Sequence, residues 1–376
     1  MKIGIITTYF AYNFGAMLQP FALKRTLESM GHEVEMIRYK QDAVYNYYAP
    51  FSWRRLLSRN PLKGIKYAVY LFRNYTILKN REINFKRFML KHITDTDIFC
   101  ETIPIDKDVY FIGSDQLWNP NNLGGFDNIY MGEFDTKPNS IKATYAISAG
   151  SIEFTPENIA YLKSIYKNLH FISVREESLK SDLKKYTQLD RAETVLDPTL
   201  LADPSIYDEL EFANPLPDED FIMLYYIRDC SLFLDRLCKL AVEQRCRLLV
   251  LSEGVKNDVF KLAKVNACVT YIPDAGEDIF LGSIKYAKCV FTPSFHGIVF
   301  SIIYKTPFYS LELDDNNNHR AQDLLKRIGL SERIISKTLW PEYNLNVDYN
   351  NCESIIRRDR EYSLKFIRKV LNSYQS

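Results

Sequence analysis

Two hydrophobic periods alternate along this chain, and their order predicts a β/α fold. A nearly continuous apolar run from Ile3 to Tyr9 is typical of a buried parallel strand. Apolar residues at helical spacing follow from Met17 to Met30, and Gly31 is suited to closing that helix. The next strand is predicted at Val34 to Tyr39. This β-α-β order predicts a parallel sheet with a right-handed crossover.

The same alternation continues over most of the chain and divides into two series. The predicted strands of the first series are Val109 to Ile112, Ala143 to Ile147, Phe171 to Val174 and Thr194 to Leu196. Those of the second series are Phe221 to Ile227, Leu248 to Leu251, Val269 to Ile272, Val290 to Thr292 and Phe308 to Leu313. Two series of similar length predict an α/β protein with two Rossmann-like domains that face each other across a cleft.

Besides the two predicted domains, the chain has an insert and a C-terminal segment. We expect an N-terminal domain over residues 1–204 and a C-terminal domain over residues 205–345. Residues 51–92 interrupt the first domain with a helical pattern, and we treat them as an insert. The remaining segment, 346–376, is predicted to hold one helix that packs back on the N-terminal domain.

Charge is balanced over the whole chain but not within the insert. The 376 residues carry a formal net charge of +1, which predicts no nucleic-acid partner. Residues 51–92 hold eleven Lys and Arg and one acid, Glu82, a balance of +10 that leaves −9 for the rest. A basic, aromatic helical segment suits an anionic membrane surface, and a solvated helical face is the alternative.

Cysteine usage predicts a cytoplasmic protein with reduced thiols. The seven cysteines form no CxxC pair, their number is odd, and most lie in apolar periodic segments. No carboxylate pair or His/Cys cluster predicts a metal site. The segment from Met1 to Tyr9 is too short for a signal peptide, and no stretch approaches the roughly 18 apolar residues of a spanning helix.

The strand predicted at Val290 to Thr292 leads directly into a predicted helix. Pro293 and Ser294 separate the two, and His296 lies in the first helical turn. This layout brings backbone N–H groups and the positive end of a helix to one point, where an anion is stabilised. Ser294 and His296 are therefore candidates for binding an anion and transferring a proton to it. The alternative for His296 is a hydrogen-bonded structural role.

Polar residues also follow two strands of the first domain. Asn13 and Gln19 come after the first strand, and Asp115 and Trp118 come after the strand at Val109 to Ile112. Open α/β sheets bind ligands at these carboxyl ends. Asp115 can act as a base or orient a sugar hydroxyl, and Trp118 can stack on a sugar ring. An ordinary turn and a helix N-cap are the alternatives.

Two arginines are candidates for binding a carboxylate or phosphate. Arg175 follows the strand at Phe171 to Val174, and a guanidinium fork suits planar anions. The alternative role for Arg175 is an internal ion pair with Glu176 or Glu177. The polar run from Asn316 to Arg320 precedes a helix and adds a further possible anion site. No GxGxxG motif is present, so a dinucleotide site is not predicted.

Several motifs occur in a characteristic order. They are Thr-Tyr-Phe-x-x-Asn-Phe-Gly-Ala-x-Leu-Gln near the start, Gly-Ser-Asp-Gln-Leu-Trp-Asn, Tyr-Ala-Ile-Ser-Ala-Gly, Ile-Ser-Val-Arg-Glu, Leu-Asp-Pro-Thr-Leu-Leu and Ser-Phe-His-Gly. From Met1 to about Gly329, this set resembles the polysaccharide pyruvyl transferase family. The resemblance implies a fold similar to B-type glycosyltransferases. It also implies transfer of a pyruvyl group from phosphoenolpyruvate to sugar hydroxyls, usually as a cyclic ketal.

The resemblance also implies roles for residues. Arg175 matches an arginine expected to grip phosphoenolpyruvate, and His296 matches a histidine expected near its phosphate and enol carbon. Some branches of the family carry an arginine where this chain has Ser294, so Arg320 is expected to supply the missing charge. Two alternatives are that Lys305 supplies it and that the donor is not phosphoenolpyruvate. His296 is the candidate for general acid or phosphate ligand, and Asp115 is expected to orient or deprotonate the acceptor hydroxyl. No cofactor or metal is expected.

The acceptor side is expected to involve Asn13, Gln19 and Trp118. The acceptor itself is expected to be a glycan, with a lipid-linked glycan at the inner membrane face as one possibility. Two alternatives stay open from the sequence. One is a nucleotide-sugar-dependent glycosyltransferase of the same fold, and the other is a non-catalytic glycan-binding relative.

Overall fold

The computed structural model of the chain describes residues 1–49, 51, 56–57, 60–150, 152–165, 167–210, 216–313, 319–340 and 342–375. Positions 52–55 and 58–59 of the basic insert lie outside these ranges. Asn316 and the rest of 316–318 in the predicted anion site lie outside them as well. Within the described ranges, no helix is both long and apolar enough to cross a membrane.

Strands and helices alternate along the described chain. The strands are β1 (Lys2–Ile6), β2 (Glu33–Ile37), β3 (Val109–Ile112), β4 (Ile141–Thr144), β5 (Ile172–Val174), β6 (Ala192–Thr194), β7 (Phe221–Tyr226), β8 (Arg247–Ser252), β9 (Val269–Ile272), β10 (Cys289–Thr292), β11 (Phe308–Leu311) and β12 (Ile334–Ile335). The helices are α1 (Phe14–Ser29), α2 (Asp42–Tyr48), α3 (Pro61–Phe88), α4 (Pro120–Leu123), α5 (Pro156–Ile165), α6 (Glu177–Asp182), α7 (Pro198–Leu201), α8 (Ser205–Asp208), α9 (Ser231–Glu243), α10 (Asn257–Val265), α11 (Glu277–Tyr286), α12 (Phe295–Ile303), α13 (His319–Arg327) and α14 (Tyr349–Gln375).

Each half of the chain forms its own parallel sheet. In the first half the strand order is β2-β1-β3-β4, and the β5-β6 pair continues it through bridges from Ala143 to Phe171 and from Ile147 to Val174. In the second half the order is β12-β11-β10-β7-β8-β9. Parallel pairing sends the carboxyl ends of neighbouring strands to one edge, so the loops after them lie together.

Six strands end earlier than the apolar pattern predicts, and β1 and β6 show the physical reason. β1 stops at Ile6 rather than Tyr9, because the Thr7 hydroxyl donates to the Ser114 carbonyl at 3.0 Å and the chain turns at Thr8. β6 ends at Thr194, two residues before the predicted Leu196. The Leu196 amide donates to Ser363 Oγ of α14 at 2.9 Å. Local polar contacts, which periodicity does not report, set both ends.

The helix of the basic insert lies against both halves of the molecule. Arg81 of α3 donates from Nη1 to the Ser252 carbonyl at 2.9 Å and from Nη2 to the Tyr12 carbonyl at 2.8 Å. The Phe14 ring stacks on Phe85 of the same helix, with ring centroids 5.3 Å apart. One face of α3 is therefore part of the contact between the two sheets.

The last helix crosses from the second half back to the first. Near its start, Lys305 of the second half pairs with Glu353 at 2.6 Å. Further along, the Tyr362 hydroxyl and Lys369 Nζ each donate to Glu193 of β6 at 2.8 Å. Because α14 contacts both halves, it braces the two sheets across the cleft.

Candidate functional site

The corner between β10 and α12 is built by short-range hydrogen bonds. The Ser294 amide donates to Thr292 Oγ1 at 3.0 Å, which turns the chain at the strand end. Ser294 Oγ then accepts from the Gly297 amide at 3.3 Å and caps α12. A Ser cap satisfies one of the four N–H groups that begin a helix. The positive end of α12 therefore faces the space between the two sheets.

That space is a cavity of about 240 Å³ lined by both halves of the chain. Ser294 and His296 contribute from the corner. The remaining charged side chains in its lining are Asp115 of the first half and Arg228, Glu253 and Arg320 of the second. A small cavity between two sheets, with a helix N-terminus and two guanidinium groups, suits an anionic ligand of few atoms.

Beneath the cavity lies a buried group of charges. Arg175 donates from Nη1 to Asp197 Oδ2 at 2.9 Å and from Nε to Glu176 Oε1 at 3.1 Å. His296 Nε2 lies 3.6 Å from the same Asp197 oxygen. The Asp197 side chain is fully buried, and that of Arg175 is 3% exposed. We call these four residues the buried ion-pair centre.

Each charge in the buried ion-pair centre is held by its neighbours. Burial alone would raise the pKa of Asp197, but His296, Arg175 and Thr199 outweigh burial and hold that pKa far below its ordinary value. Burial opposes the charge of Arg175, yet Glu176 and Asp197 raise the pKa of its guanidinium. The contact of Asp197 with Arg175 and His296 therefore keeps the acid ionised at neutral pH.

His296 has little room to move. Its imidazole lies against Gly15 of α1, where a Cβ atom would collide with the ring. The side chain is 8% exposed, and Nε2 has no hydrogen-bond partner among the described residues. Gly15 and Asp197 thus fix the imidazole at the floor of the cavity, between the two sheets.

Arg320 is in a different environment from Arg175. Its side chain is 21% exposed, and Nη1 lies 3.9 Å from Asp115 Oδ1. Burial, followed by repulsion from Arg175, lowers the pKa of Arg320 to about 10. The positive charge of Arg320 is therefore incompletely compensated, and an anion beside it would be stabilised.

Arg228 is a site residue that the sequence analysis missed. It follows β7, the strand next to β10, and donates from Nη2 to the Pro293 carbonyl at 3.1 Å. Its φ of 56° places it in the left-handed region, where non-glycine residues are uncommon. Its position after a central strand was the signal that would have found it. Asp197 was also missed, because its Leu-Asp-Pro-Thr-Leu-Leu motif was used for the family resemblance and the carboxylate was assigned no role.

The predicted site residues divide into two groups. Asn13, Asp115, Ser294, His296 and Arg320 line the cavity. Asn13 also caps α1 and donates from Nδ2 to Glu253 Oε1 of the second half at 3.2 Å.

The other predicted residues do not reach the cavity surface. Gln19 is fully buried and links Thr7 to the Ser114 amide. Trp118 is also fully buried, with Nε1 donating to the Tyr130 carbonyl at 3.1 Å. Neither of these two is placed to touch a sugar. Arg175 lies behind the cavity with its guanidinium 4.7 Å from the Phe295 ring. It pairs with Glu176, which the alternative interpretation named, and with Asp197, which that interpretation did not name.

Within the described residues, no group of three or more His, Cys, Asp or Glu side chains is arranged to hold a metal ion. The polar chemistry of the cleft is instead supplied by guanidinium, imidazole, carboxylate and backbone N–H groups. Such groups can bind an anion and can transfer protons to or from a bound substrate.

Two parallel α/β sheets with a cleft between them define the class of B-type glycosyltransferases and related epimerases. The UDP-GlcNAc 2-epimerase from Methanocaldococcus jannaschii has a TM-score of 0.50 and 13% identity, covering 95% of this chain and 92% of that chain. The E. coli heptosyltransferase WaaC has a TM-score of 0.41 and 12% identity, and the match covers 96% of this chain and 100% of that chain. The Thermobaculum terrenum O-GlcNAc transferase has a TM-score of 0.42 and 14% identity, and the match covers 98% of this chain and 64% of that chain. The predicted fold class is confirmed.

The family follows from the sequence itself. The model of the polysaccharide pyruvyl transferase family matches residues 13–315, most of the chain. The chain therefore belongs to the polysaccharide pyruvyl transferase family, and membership implies a transferase enzyme with a glycan acceptor. No curated protein matches the chain.

Proposed function

We propose that this enzyme transfers a pyruvyl group from phosphoenolpyruvate to hydroxyls of a cell-surface or exopolysaccharide glycan. The observation that carries the proposal is the incompletely compensated charge of Arg320 on α13, which lines the same cavity as the N-terminus of α12. Phosphoenolpyruvate carries up to three negative charges and few atoms. Its phosphate would bind the first-turn N–H groups, Arg320 and Arg228, because each of these groups donates to an anion.

The proposed reaction begins with a proton. His296 delivers it to the methylene carbon of phosphoenolpyruvate, which becomes a methyl group, and positive charge develops on the adjacent carbon. A sugar hydroxyl forms a bond to that carbon and loses its proton to Asp115. A neighbouring hydroxyl then forms the second C–O bond as the C–O bond to phosphate breaks. The products are a cyclic ketal and inorganic phosphate, which takes up the remaining proton.

The protein's contribution is to position these groups. Gly15 and Asp197 hold the imidazole in one place, which lowers the entropic part of the barrier. Asp115 lies on the cavity wall between Arg175 and Arg320, at 4.0 Å and 3.9 Å from their nearest nitrogen atoms. This position places the carboxylate beside the space where the acceptor hydroxyl would lie.

A ligand panel tests the donor. Thermal unfolding is measured with phosphoenolpyruvate, with pyruvate plus phosphate, and with the diphosphates of uridine and guanosine. A ligand at 100 times its Kd adds about 2.7 kcal/mol, a shift that is readily seen. We expect stabilisation by phosphoenolpyruvate alone, and phosphate release only when a glycan acceptor is added. Stabilisation by a nucleoside diphosphate alone would favour a nucleotide-sugar-dependent glycosyltransferase. No stabilisation by any ligand of the panel would favour a non-catalytic glycan-binding relative.

We also propose that the outer face of α3 contacts an anionic membrane, where a lipid-linked acceptor would be found. Leu62, Ile65, Val69 and Phe72 recur at spacings of three and four, so they form one stripe on the helix. Their exposed fractions are 68%, 61%, 43% and 88%. Exposed apolar stripes of this kind are uncommon unless they bind something.

The charges around this stripe specify the partner. Lys63, Lys66, Arg73 and Lys79 of the same helix are all exposed. A stripe of apolar residues beside basic residues is the pattern of a helix that lies in the headgroup region of an anionic bilayer. The opposite face, including Arg81, is buried against the rest of the protein, so the stripe points outward. Cytoplasmic location at the inner membrane face is part of this proposal.

Vesicle sedimentation tests the membrane contact. The protein is mixed at low salt with vesicles of phosphatidylcholine alone or with added phosphatidylglycerol. We expect binding only to the anionic vesicles, and Phe72→Ser should weaken it by roughly 10–100-fold, since burying Phe contributes about 1.5–3 kcal/mol. Val265→Ser is the matched control, because Val265 is 85% exposed on α10. Equal binding to both vesicles, or equal loss in both variants, would contradict the proposal.

A further inference from the structure

We infer that a tyrosine-lined groove beside the cavity binds sugar rings of the acceptor glycan. The inference rests on the proposed function for the identity of the ligand, but its geometry is independent of the donor. The groove has a volume of about 310 Å³, and its aromatic lining is Tyr12, Tyr47, Tyr48, Tyr67 and Tyr70. We call it the tyrosine groove.

The tyrosine groove adjoins the cavity proposed to hold the donor. Tyr48, Arg228 and Glu253 line both spaces. A ligand that extends along the groove would therefore present its end beside Arg228, at the border of the cavity that His296 also lines. An acceptor needs this relation, since its reacting hydroxyls must reach the donor while the rest of the glycan stays outside.

Four separate parts of the chain form the groove, and Tyr12 comes from the loop between β1 and α1. Tyr47 and Tyr48 come from the end of α2, with ring centroids 4.9 Å apart at 80°. Tyr67 and Tyr70 come from α3, with centroids 6.4 Å apart at 17°. Lys256 of the second half completes the lining and lies 4.9 Å from the Tyr226 ring. The groove thus exists only when the insert helix is docked on both sheets.

The chemistry of the lining matches a pyranose. One face of a sugar ring presents C–H groups that pack on an aromatic face, while its hydroxyls require hydrogen-bond partners. Tyrosine offers both in one side chain. Burial raises the pKa of Tyr12 and of Tyr48, so these phenols stay neutral and can donate to a sugar hydroxyl. The Glu253 carboxylate at the junction can accept from another hydroxyl.

The groove is not part of the hydrophobic core. The Tyr47 side chain is 64% exposed, and Tyr67 and Tyr70 are partly exposed on the flank of α3. Phe85 and Phe88 of the same helix are buried, so the core of this helix lies further along the chain. Several aromatic rings held around an open groove are typical of a ligand site rather than of core packing.

The test measures glycoside binding without any donor. Ligand-observed NMR is recorded with methyl glycosides of galactose, glucose, mannose and N-acetylmannosamine, using the full chain. We expect at least one of them to bind with a measurable Kd. Tyr67→Ala and Tyr47→Ala should each weaken that binding roughly tenfold, because each removes a stacking face. Tyr75→Ala is the matched control, since Tyr75 is 62% exposed on α3 and does not line the groove.

The outcomes separate this inference from the proposed donor. Glycoside binding that is lost in the groove variants but kept in the control supports the groove even if phosphoenolpyruvate does not bind. Phosphoenolpyruvate binding with no glycoside binding, or with equal effects in all three variants, overturns the groove and leaves the donor proposal intact. Melting temperatures close to the parent's in each variant show that the changes do not act through unfolding.

Discussion

Two arginines lie near the Asp115 carboxylate but differ in their surroundings. Arg175 and Arg320 lie 4.0 Å and 3.9 Å from Asp115 Oδ1, yet only Arg320 lines the cavity. Acidic neighbours raise the pKa of Arg175, whereas burial and the nearby Arg175 lower the pKa of Arg320. The Arg175 guanidinium pairs with Asp197 through Nη1 and with Glu176 through Nε, although its Nη2 has no hydrogen-bond partner among the described residues. These two buried ion pairs make Arg175 part of the scaffold. We propose that Arg320, the less compensated of the two, binds the ligand.

The largest expected effect is on the scaffold. Asp197→Asn removes the charge that compensates Arg175 and contacts His296, and breaking a buried pair typically costs about 3–5 kcal/mol. Urea unfolding should show a loss of that size in the free energy of unfolding. Asp190→Asn, an exposed acid, is the control and should stay within about 0.5 kcal/mol.

The effect of Asp197→Asn on the free energy of unfolding should also depend on pH. The pKa of Asp197 is depressed in the folded protein, so its contribution to stability is present above the unfolded carboxyl pKa of about 3.9. It is lost as the pH falls through the lower folded value. The stability gap between parent and Asp197→Asn should therefore be constant from about pH 5 to 7 and narrow in stronger acid. A gap that widens in acid would contradict this assignment.

The next effect is on the chemistry. His296→Ala should reduce pyruvyl transfer by about 10²–10⁴-fold, the usual contribution of a general acid, while the protein stays folded. Gly15→Ala should also reduce transfer with the imidazole still present, because the new Cβ collides with it. Phosphate release is the assay and the melting temperature is the control. Near-full activity of His296→Ala would remove this residue from the mechanism.

A smaller effect is expected on donor binding. Arg320→Gln should weaken phosphoenolpyruvate binding by roughly 10–100-fold, since a hydrogen bond to a charged group contributes about 1.5–3 kcal/mol. The variant should lose no stability, because its charge is disfavoured in the folded protein. Lys326→Gln on the same helix removes an exposed charge outside the cavity and serves as the control in calorimetry. Equal affinities for the two variants would count against the cavity as the donor site.

The smallest effect concerns a buried acid without partners. Glu277 is 1% exposed, and neither carboxylate oxygen has a hydrogen-bond partner among the described residues. Burial raises its pKa well above the ordinary value. Glu277→Gln should raise the free energy of unfolding by about 1 kcal/mol near neutral pH, because it removes a group that is costly to ionise there.

The pH dependence of Glu277→Gln follows from the raised pKa. The folded protein holds the Glu277 proton more tightly than the unfolded chain, so the parent loses stability as the pH rises above about 4.3. The glutamine variant lacks this titration. Its advantage should be smallest near pH 4 and should grow as the pH rises above about 4.3, as measured by urea unfolding. An advantage that grows in acid would show that the acid has a partner, like Asp197.

The sequence alone was sufficient to predict the fold class and part of the candidate site. Alternating periods predicted two parallel α/β sheets, because burial on both faces of a strand leaves a continuous apolar run. The same rule placed Asn13, Asp115 and Ser294 at strand ends that converge on the cavity. It could not show which side chains turn inward. Gln19 and Trp118 lie in the same motifs, yet their side chains are buried by contacts from distant residues.

The inner face of α3 was also beyond sequence analysis. Its Arg81 reads as one more cation in a basic segment, and only the docked structure brings it to the Ser252 and Tyr12 carbonyls. In the same way, no local pattern distinguishes Arg175 from Arg320. The difference arises from residues far apart in the chain, Asp197 and Glu176 on one side and the open cleft on the other.

A crystal structure with phosphoenolpyruvate bound is the most direct test of the distinction between the two arginines. The account predicts phosphate oxygens about 2.7–2.9 Å from Arg320 and from the first-turn amides of α12, with Arg175 still paired to Asp197. Phosphate bound to Arg175 with that pair broken, or bound outside the cleft, would contradict it.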